Sequence, residues 1–195
     1  MHVFHSLTDL DLVTTMLNGG VGVLPTDTLY GLVARAASPT AVERLYALKR
    51  RNEKPGTTMA ASPEQLIDLG VDADVVERVA RHWPAPLSIV LPLDESLHHL
   101  HQGVGESPFR VIADENLHLL LQKTGPLVTS SANQPGEPPA RSIAEAQAYF
   151  GEQVDFYVDG GDIGDRQPST IARLTDEGLE VLRQGAAYIN PEERA

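Results

Sequence analysis

The sequence predicts a mixed α/β fold, in which helices pack on a sheet with both parallel and antiparallel strands. Short apolar runs typical of buried strands alternate irregularly with segments whose apolar residues recur at helical spacing. The last two runs, residues 168–174 and 179–183, flank a turn at residues 175–178 and therefore predict an antiparallel hairpin. That hairpin, added to strands joined through helices, is what makes the expected sheet mixed.

Each predicted element has its own signal in the chain. The helices combine apolar spacing with capping residues, as where Ser38-Pro39 opens a helix and Asn18-Gly19-Gly20 closes one. The predicted helices cover residues 10–17, 39–48, 63–69, 75–83, 117–121 and 142–151. Besides the hairpin, the predicted strands cover residues 21–24, 57–61, 87–91, 109–112 and 154–158, with a central strand that begins at residue 126.

Composition and charge narrow the classes of protein. A chain of 195 residues with 42% hydrophobic residues is long enough for one buried core, so we expect a single domain over residues 1–195. Without a long apolar run or a basic, apolar start, the protein is expected to be soluble and cytoplasmic, with no membrane partner. The absence of cysteine excludes disulfides and thiolate chemistry. A net charge of -12 argues against broad binding to nucleic acid.

Small polar residues follow two of the apolar runs. Residues 126–136 read Pro-Leu-Val-Thr-Ser-Ser-Ala-Asn-Gln-Pro-Gly, and residues 25–32 read Pro-Thr-Asp-Thr-Leu-Tyr-Gly-Leu. Hydroxyl and amide groups at strand ends are fixed hydrogen-bond partners, and ligands bind at strand ends in open α/β sheets. The structural alternative is a strand exit in the first case and a turn in the second. Gly31 would allow close approach of the backbone.

Cations are concentrated where an anionic ligand could bind. Residues 49–54 include four cations, more than a helix end needs to offset its dipole, and they predict a phosphate or carboxylate clamp. A solvated basic helix end is the alternative. Arg110 interrupts a predicted strand and needs an anionic partner, either a ligand or the nearby Asp114 or Glu115. Arg141 precedes a helix, where its charge opposes the positive helix end.

The usual signatures of nucleophiles, phosphate loops and metal sites are absent from the sequence. His98, His99 and His101 lack an adjacent ligand at metal spacing and are expected to be exposed loop residues, so no metal site is predicted. The remaining polar set suits a small zwitterion and a polyphosphate, with catalysis by orientation and charge stabilisation. Its cations are Lys49, Arg50, Arg51, Lys54, Arg110, Arg141 and Arg183, and its hydroxyls and amide are Thr26, Thr28, Ser131, Asn133, Ser169 and Thr170.

Five segments, in order along most of the chain, resemble the YrdC-type threonylcarbamoyl-AMP synthases. They are residues 25–32, Lys49-x-Arg51, Ser131-Ala132-Asn133, Pro168-Ser169-Thr170-Ile171 and Leu182-Arg183-Gln184-Gly185. The resemblance implies a twisted sheet with a large concave face. It also implies that L-threonine, bicarbonate and ATP condense to threonylcarbamoyl-AMP and pyrophosphate. Magnesium on the phosphates is a candidate cofactor. The product would pass to tRNA threonylcarbamoyl transferase proteins, which modify adenosine in tRNA.

The resemblance also implies a role for individual residues. Those expected to bind threonine are Thr28, Arg110, Ser131 and Ser169. Those expected to bind ATP are Lys49, Arg50, Arg51, Lys54, Asn133, Arg141 and Arg183. No residue is expected to react covalently with a substrate.

Two other functions remain open at this stage. One is a non-catalytic module that binds RNA or the ribosome, against which the acidic balance counts. The other is a related carbamoyl-adenylate enzyme with a different acceptor, which threonine dependence would distinguish from the synthase.

Overall fold

The structure is a computed structural model that describes residues 2–50 and 53–189. The described residues form ten strands and seven α-helices. The strands are β1 (His2–Phe4), β2 (Gly22–Pro25), β3 (Tyr30–Arg35), β4 (Thr57–Ala60), β5 (Leu87–Pro92), β6 (Glu106–Val111), β7 (Leu127–Ser131), β8 (Phe156–Val158), β9 (Thr170–Thr175) and β10 (Gly178–Arg183). The helices are α1 (Leu10–Leu17), α2 (Pro39–Leu48), α3 (Pro63–Leu69), α4 (Ala73–Ala80), α5 (His98–His101), α6 (Glu115–Thr124) and α7 (Ile143–Phe150).

The described strands belong to one mixed sheet, which confirms the predicted fold class. Their order is β1-β8-β2-β3-β7-β4-β6-β5-β9-β10. Strands β4 and β6 pair in parallel, as do β5 and β9, whereas β3 and β4 both run antiparallel to β7. The predicted hairpin of β9 and β10 is confirmed, with Thr175 opposite Gly178.

Alternate residues of the strands enter two separate hydrophobic cores, one on each face of the sheet. Val23 of β2 and Leu32 of β3 pack with residues of α2, α3, α4 and α7, whereas Leu24 and Val33 pack with residues of α1 and α6. This period of two is what a strand imposes on its side chains. The face that carries only α1 and α6 is partly uncovered, and the candidate site lies on that face.

Two strands were not predicted from the sequence. The turn expected over residues 25–32 is confined to residues 26–29, and Tyr30–Arg35 is a strand that pairs with both β2 and β7. The turn is short because Thr26 closes it: its Oγ1 accepts the N–H groups of Thr28 and Leu29, each at 3.2 Å. The other strand, β1, has only three residues and pairs with β8 at the edge of the sheet.

The expectation that the three histidines lie in a loop was wrong, and their expected exposure holds for His98 but not for His101. Residues 98–101 form the short helix α5, and His101 is buried, with 1% of its surface exposed. Its Nδ1 accepts the backbone N–H groups of Gly103 and Gly105, which holds the ring under the following turn. Within the described ranges, no helix has both the length and the apolarity needed to span a bilayer.

Candidate active site

A cavity of about 450 Å³ lies on the partly uncovered face of the sheet. Its walls come from strands β3, β7, β4, β6, β9 and β10 and from the turns beside them. Five of the predicted ligand-binding residues line it together, and they are Thr28, Arg110, Ser131, Ser169 and Arg183. The cavity brings side chains from distant parts of the chain together because these strands lie side by side in the sheet.

Arg110 is the most deeply buried cation of the cavity, with 3% of its side chain exposed. Its Nη2 lies 2.8 Å from Oδ1 of Asp27, which is itself 14% exposed. Asp27 is therefore an anionic partner of Arg110 within the protein, and the structural alternative of Asp114 or Glu115, set against a ligand in the sequence analysis, was wrong. Those two residues follow β6 along the chain, whereas Asp27 reaches Arg110 from the β2–β3 turn.

Burial disfavours the charged forms of both partners in this pair. It raises the pKa of the Asp27 carboxyl above its ordinary value, and the Arg110 guanidinium opposes that rise. Arg110 Nε is buried without a hydrogen-bond partner in the described part of the chain. The pair thus holds a guanidinium at the cavity wall.

Ser169 lies at the opposite wall, where contacts from β5 and from the end of β10 fix its position. Its hydroxyl lies 3.0 Å from the hydroxyl of Ser88, and its carbonyl accepts a 2.8 Å hydrogen bond from Arg183 Nη2. The carbonyl of the preceding Pro168 accepts the N–H of Ala186 at 2.8 Å. The segment after β10 therefore holds the Pro-Ser segment in place.

The close approach of residue 185 to the Pro-Ser segment requires a glycine at that position. A Cβ atom there would lie 2.2 Å from the carbonyl oxygen of Pro168 and 2.6 Å from the carbonyl carbon of Ser169. Both are backbone atoms, which cannot move aside as a flexible side chain can. The two segments can approach this closely only because residue 185 has no side chain.

Lys49 supports the third wall instead of lining the cavity. It is buried, and its Nζ donates to the carbonyl oxygens of Ser131 and Asn133 and to Asn133 Oδ1. The hydroxyl of Ser131 donates to that same Oδ1 at 2.7 Å. The ammonium group therefore ties the end of α2 to the turn after β7, in the interior of the protein.

We expect Lys49→Met to lower the free energy of unfolding by about 2 kcal/mol or more, because it leaves buried acceptors without their charged donor. Urea denaturation at pH 7 measures this change. Lys54→Met, which alters an exposed lysine of the same cluster, is the control and should leave stability unchanged. Unchanged stability of Lys49→Met, together with a raised KM for ATP, would show that Lys49 acts as a nucleotide contact and not as a support.

Three further predicted ATP contacts that the structure describes lie outside the cavity wall. Arg50 lines a second cavity beside α5, and Lys54 is exposed. Arg141 is half exposed, and its Nη1 lies 2.8 Å from Oδ1 of Asp165. Arg51 lies outside the described residues. The assignments of these residues to ATP stay predictions.

Sequence reasoning missed two charged residues of the site. Asp27 was read as part of a turn, and nothing in the spacing linked it to Arg110, 83 residues away. Arg166 lines the cavity from the loop that connects β8 and β9. That loop is polar and rich in glycine, so a single arginine in it gave no signal.

The expectation that the histidines have no carboxylate at ligand spacing was wrong, because the ligand atoms of Glu95, His98 and His101 lie within 4.8 Å of one another. The hydrogen bonds of His101 nevertheless argue against a metal there. Because Nδ1 accepts two backbone N–H groups, the proton of the neutral ring lies on Nε2, which is the atom that faces Glu95 at 3.9 Å. A metal needs a lone pair on that atom.

The fold and the cavity define a class of α/β protein with an open, arginine-lined ligand site on one face of a mixed sheet. A family model named Sua5/yciO/yrdC, described as telomere recombination, matches residues 14–185. The chain therefore belongs to this family.

Curated relatives match over nearly their whole length. The chain is 35% identical over 179 residues to a protein of Chromohalobacter salexigens named threonylcarbamoyl-AMP synthase, covering 89% of this chain and 95% of the relative. It is 36% identical over 167 residues to the protein of that name from Marinobacter nauticus, covering 80% and 86%. These matches extend well beyond the motifs, through most of the sheet and its helices.

Solved structures of the family share the fold. Sua5 of P. abyssi complexed with L-threonine superposes with a TM-score of 0.82 at 27% identity, covering 95% of this chain and 58% of that one. The chain thus spans a little over half the length of Sua5. E. coli YciO superposes with a TM-score of 0.80 at 23% identity, covering 97% of each chain.

Proposed function

We propose that this protein is a threonylcarbamoyl-AMP synthase, a nucleotidyltransferase that condenses L-threonine, bicarbonate and ATP for the threonylcarbamoyladenosine modification of tRNA. The observation that carries the proposal is the cavity itself. It gathers hydroxyls and Arg183 from the family's motifs together with Arg110, in a chain that aligns with 95% of a relative named for this activity. A single domain over residues 1–195 and a place in the cytoplasm, where ATP and tRNA are available, belong to the same proposal.

The chemistry has two steps that such a cavity can promote without a covalent intermediate. Bicarbonate takes up a proton and loses water to give carbon dioxide, and the neutral amine of threonine then attacks that carbon and releases a proton to form a carbamate. A carbamate oxygen then attacks the α-phosphorus of ATP, the bond to the β-phosphate oxygen breaks, and pyrophosphate leaves. Both steps bring anionic groups together, so alignment and charge compensation supply the catalysis.

The threonine side of the cavity is formed by Thr28, Arg110, Ser131 and Ser169. A guanidinium suits the amino-acid carboxylate, since it offers two parallel donors. The solved complex of P. abyssi Sua5 with L-threonine supports threonine as the amino acid. Arg183, which lines the same cavity, is assigned to the phosphates in this proposal. The sequence also predicts Arg50, Arg51 and Lys54 as phosphate contacts, whereas the buried Lys49 supports the wall.

Magnesium fits this scheme only as an ion that arrives on the nucleotide. Carboxylates are its usual protein ligands, and the lining of the cavity includes no Asp or Glu among the described residues. The product is proposed to pass to tRNA threonylcarbamoyl transferase proteins, and direct RNA contact would be weak for so acidic a chain.

Pyrophosphate release from ATP by the purified protein tests the proposal. We expect release that needs both L-threonine and bicarbonate. Release that does not depend on threonine would indicate a carbamoyl-adenylate enzyme with another acceptor. No release, with salt-sensitive binding of RNA in its place, would favour the RNA-binding module.

A further inference from the structure

One of the cations that line the cavity has no hydrogen-bond or ion-pair partner among the described residues. Arg110, Arg166 and Arg183 are the charged side chains in its described lining. The charge of Arg110 is balanced by Asp27, and Arg183 donates to the carbonyl of Ser169. Among the described residues, the exposed side chain of Arg166 has neither a hydrogen bond nor an ion pair.

The loop that carries Arg166 is fixed on both sides of it. On the N-terminal side, the hydroxyl of Tyr30 accepts the N–H of Gly160 at 2.8 Å and donates to the carbonyl of Gly161 at 2.9 Å. The N–H of the buried Ile163 donates to the carbonyl of Arg141 at 2.9 Å. On the C-terminal side, the Pro-Ser segment is held as described above.

The ion pair between Arg141 and Asp165 adds a contact next to Arg166. Both partners are exposed, so solvent screens the pair and it contributes little to the position of the loop. The backbone hydrogen bonds and the buried Ile163 therefore do most of the anchoring. Arg141, which the sequence predicts to bind ATP, thus contacts this loop and helps to hold it in place.

Arg166 also lines a smaller cavity of about 280 Å³ on its other side, which it shares with Thr26. Two carboxylates, Asp114 and Asp159, line that cavity, but neither forms an ion pair with Arg166. Arg166 and Thr26 thus line both cavities. The smaller cavity has acidic residues in its lining, whereas the described charged residues that line the larger cavity are all arginines. An anion that enters the larger cavity would meet the Arg166 side chain at little cost, because no existing bond must break.

We propose that Arg166 binds an oxyanion of the substrates, either the carboxylate of threonine and of its carbamate or a phosphate of ATP. The inference rests on the proposed function, since it is the threonine- and ATP-dependent reaction that supplies these anions. Because the backbone of Arg166 is fixed and its guanidinium has no partner among the described residues, it can form a bidentate contact with an oxyanion without breaking another contact.

The test compares Arg166→Ala and Arg166→Lys with Lys123→Ala, a control that removes an exposed cation on α6. Isothermal titration of L-threonine and of ATP gives each Kd without turnover, and pyrophosphate release gives each KM. We expect Arg166→Ala to raise the Kd and KM of one substrate by about tenfold or more. Arg166→Lys should recover part of the loss, because lysine keeps the charge but not the fork. The melting temperature should not change.

The two sources of the oxyanion are separated by which substrate is affected. Weakened threonine binding alone identifies the carboxylate, and weakened ATP binding alone identifies a phosphate. Kd values for both substrates within about twofold of the control would overturn the proposal. If the wild-type protein binds both ligands but releases no pyrophosphate, the proposed synthase activity is refuted. The effect of Arg166→Ala on each Kd would still decide whether Arg166 binds a substrate. Wild-type protein that binds neither ligand would overturn both.

Discussion

Arg110→Ala is expected to reduce threonine-dependent pyrophosphate release by about tenfold or more, because a charged substrate group then lacks its partner in the cavity. The same change should lower the free energy of unfolding by about 3 kcal/mol, since it leaves the Asp27 carboxylate unpaired in a mostly buried place. Steady-state kinetics and urea denaturation at pH 7 measure the two effects separately.

The double variant Asp27→Asn/Arg110→Ala distinguishes the two causes. It removes the unpaired carboxylate, so stability should largely return, while activity stays low because the guanidinium is still missing. Wild-type turnover in Arg110→Ala would remove Arg110 from the substrate site. Recovery of activity in the double variant would show that the single change acted only through misfolding.

The stability of Arg110→Ala should also depend on pH in a defined direction. Burial already raises the pKa of Asp27, and loss of Arg110 removes the main interaction that lowers it. A carboxyl whose pKa is higher in the folded state than in the unfolded state binds protons preferentially when folded, so it favours folding at low pH. The deficit relative to wild type should therefore shrink as pH falls from 7 through the raised pKa. A deficit that stays constant or grows would contradict this expectation.

Gly185→Ala is expected to cause the second large loss. The added methyl group would overlap the backbone of Pro168 and Ser169, so the segment after β10 or the Pro-Ser segment must shift. We expect a destabilisation of about 1–3 kcal/mol and a fall in activity of about tenfold or more, since a small displacement of Ser169 misplaces a substrate contact. Urea denaturation and pyrophosphate release measure both.

Glu180→Ala provides the control for this change, because Glu180 is an exposed residue of β10, the strand that precedes Gly185. It should behave like the wild type in both assays. If Gly185→Ala kept full stability and activity, the close approach of the two segments would not be needed for the site.

The fold could be predicted because its signals are local, and several residues that line the cavity were identified from motifs that resemble those of the family. Apolar spacing, capping residues and the 175–178 turn indicated the hairpin and most of the helices, and these depend on neighbours in the sequence. Strand β3 was missed because the polar residues at 26–28 resemble a longer turn, and only pairing with β2 and β7 makes residues 30–35 a strand. Tertiary context decides such segments.

The electrostatic organisation of the site could not be predicted, because it depends on pairs that are distant in sequence. The charges at residues 27 and 110 meet only when the β2–β3 turn and β6 are both in place. Lys49 looked like one member of a surface cluster, yet it turns inward to carbonyl groups 82 and 84 residues away. The sequence pattern identifies which residues carry charge, whereas the fold determines which of those charges are already satisfied.

The positions of the cavity residues along the chain determine when the site can form during translation. The first wall residue, Thr26, is translated long before Arg183, and Gly185 must follow before the Pro-Ser segment can be clamped. A chain on the ribosome therefore has no complete site until β10 and residue 185 have emerged and the strand has paired. Substrates that bind only the completed site cannot stabilise shorter nascent chains, so they favour the folded protein over those intermediates.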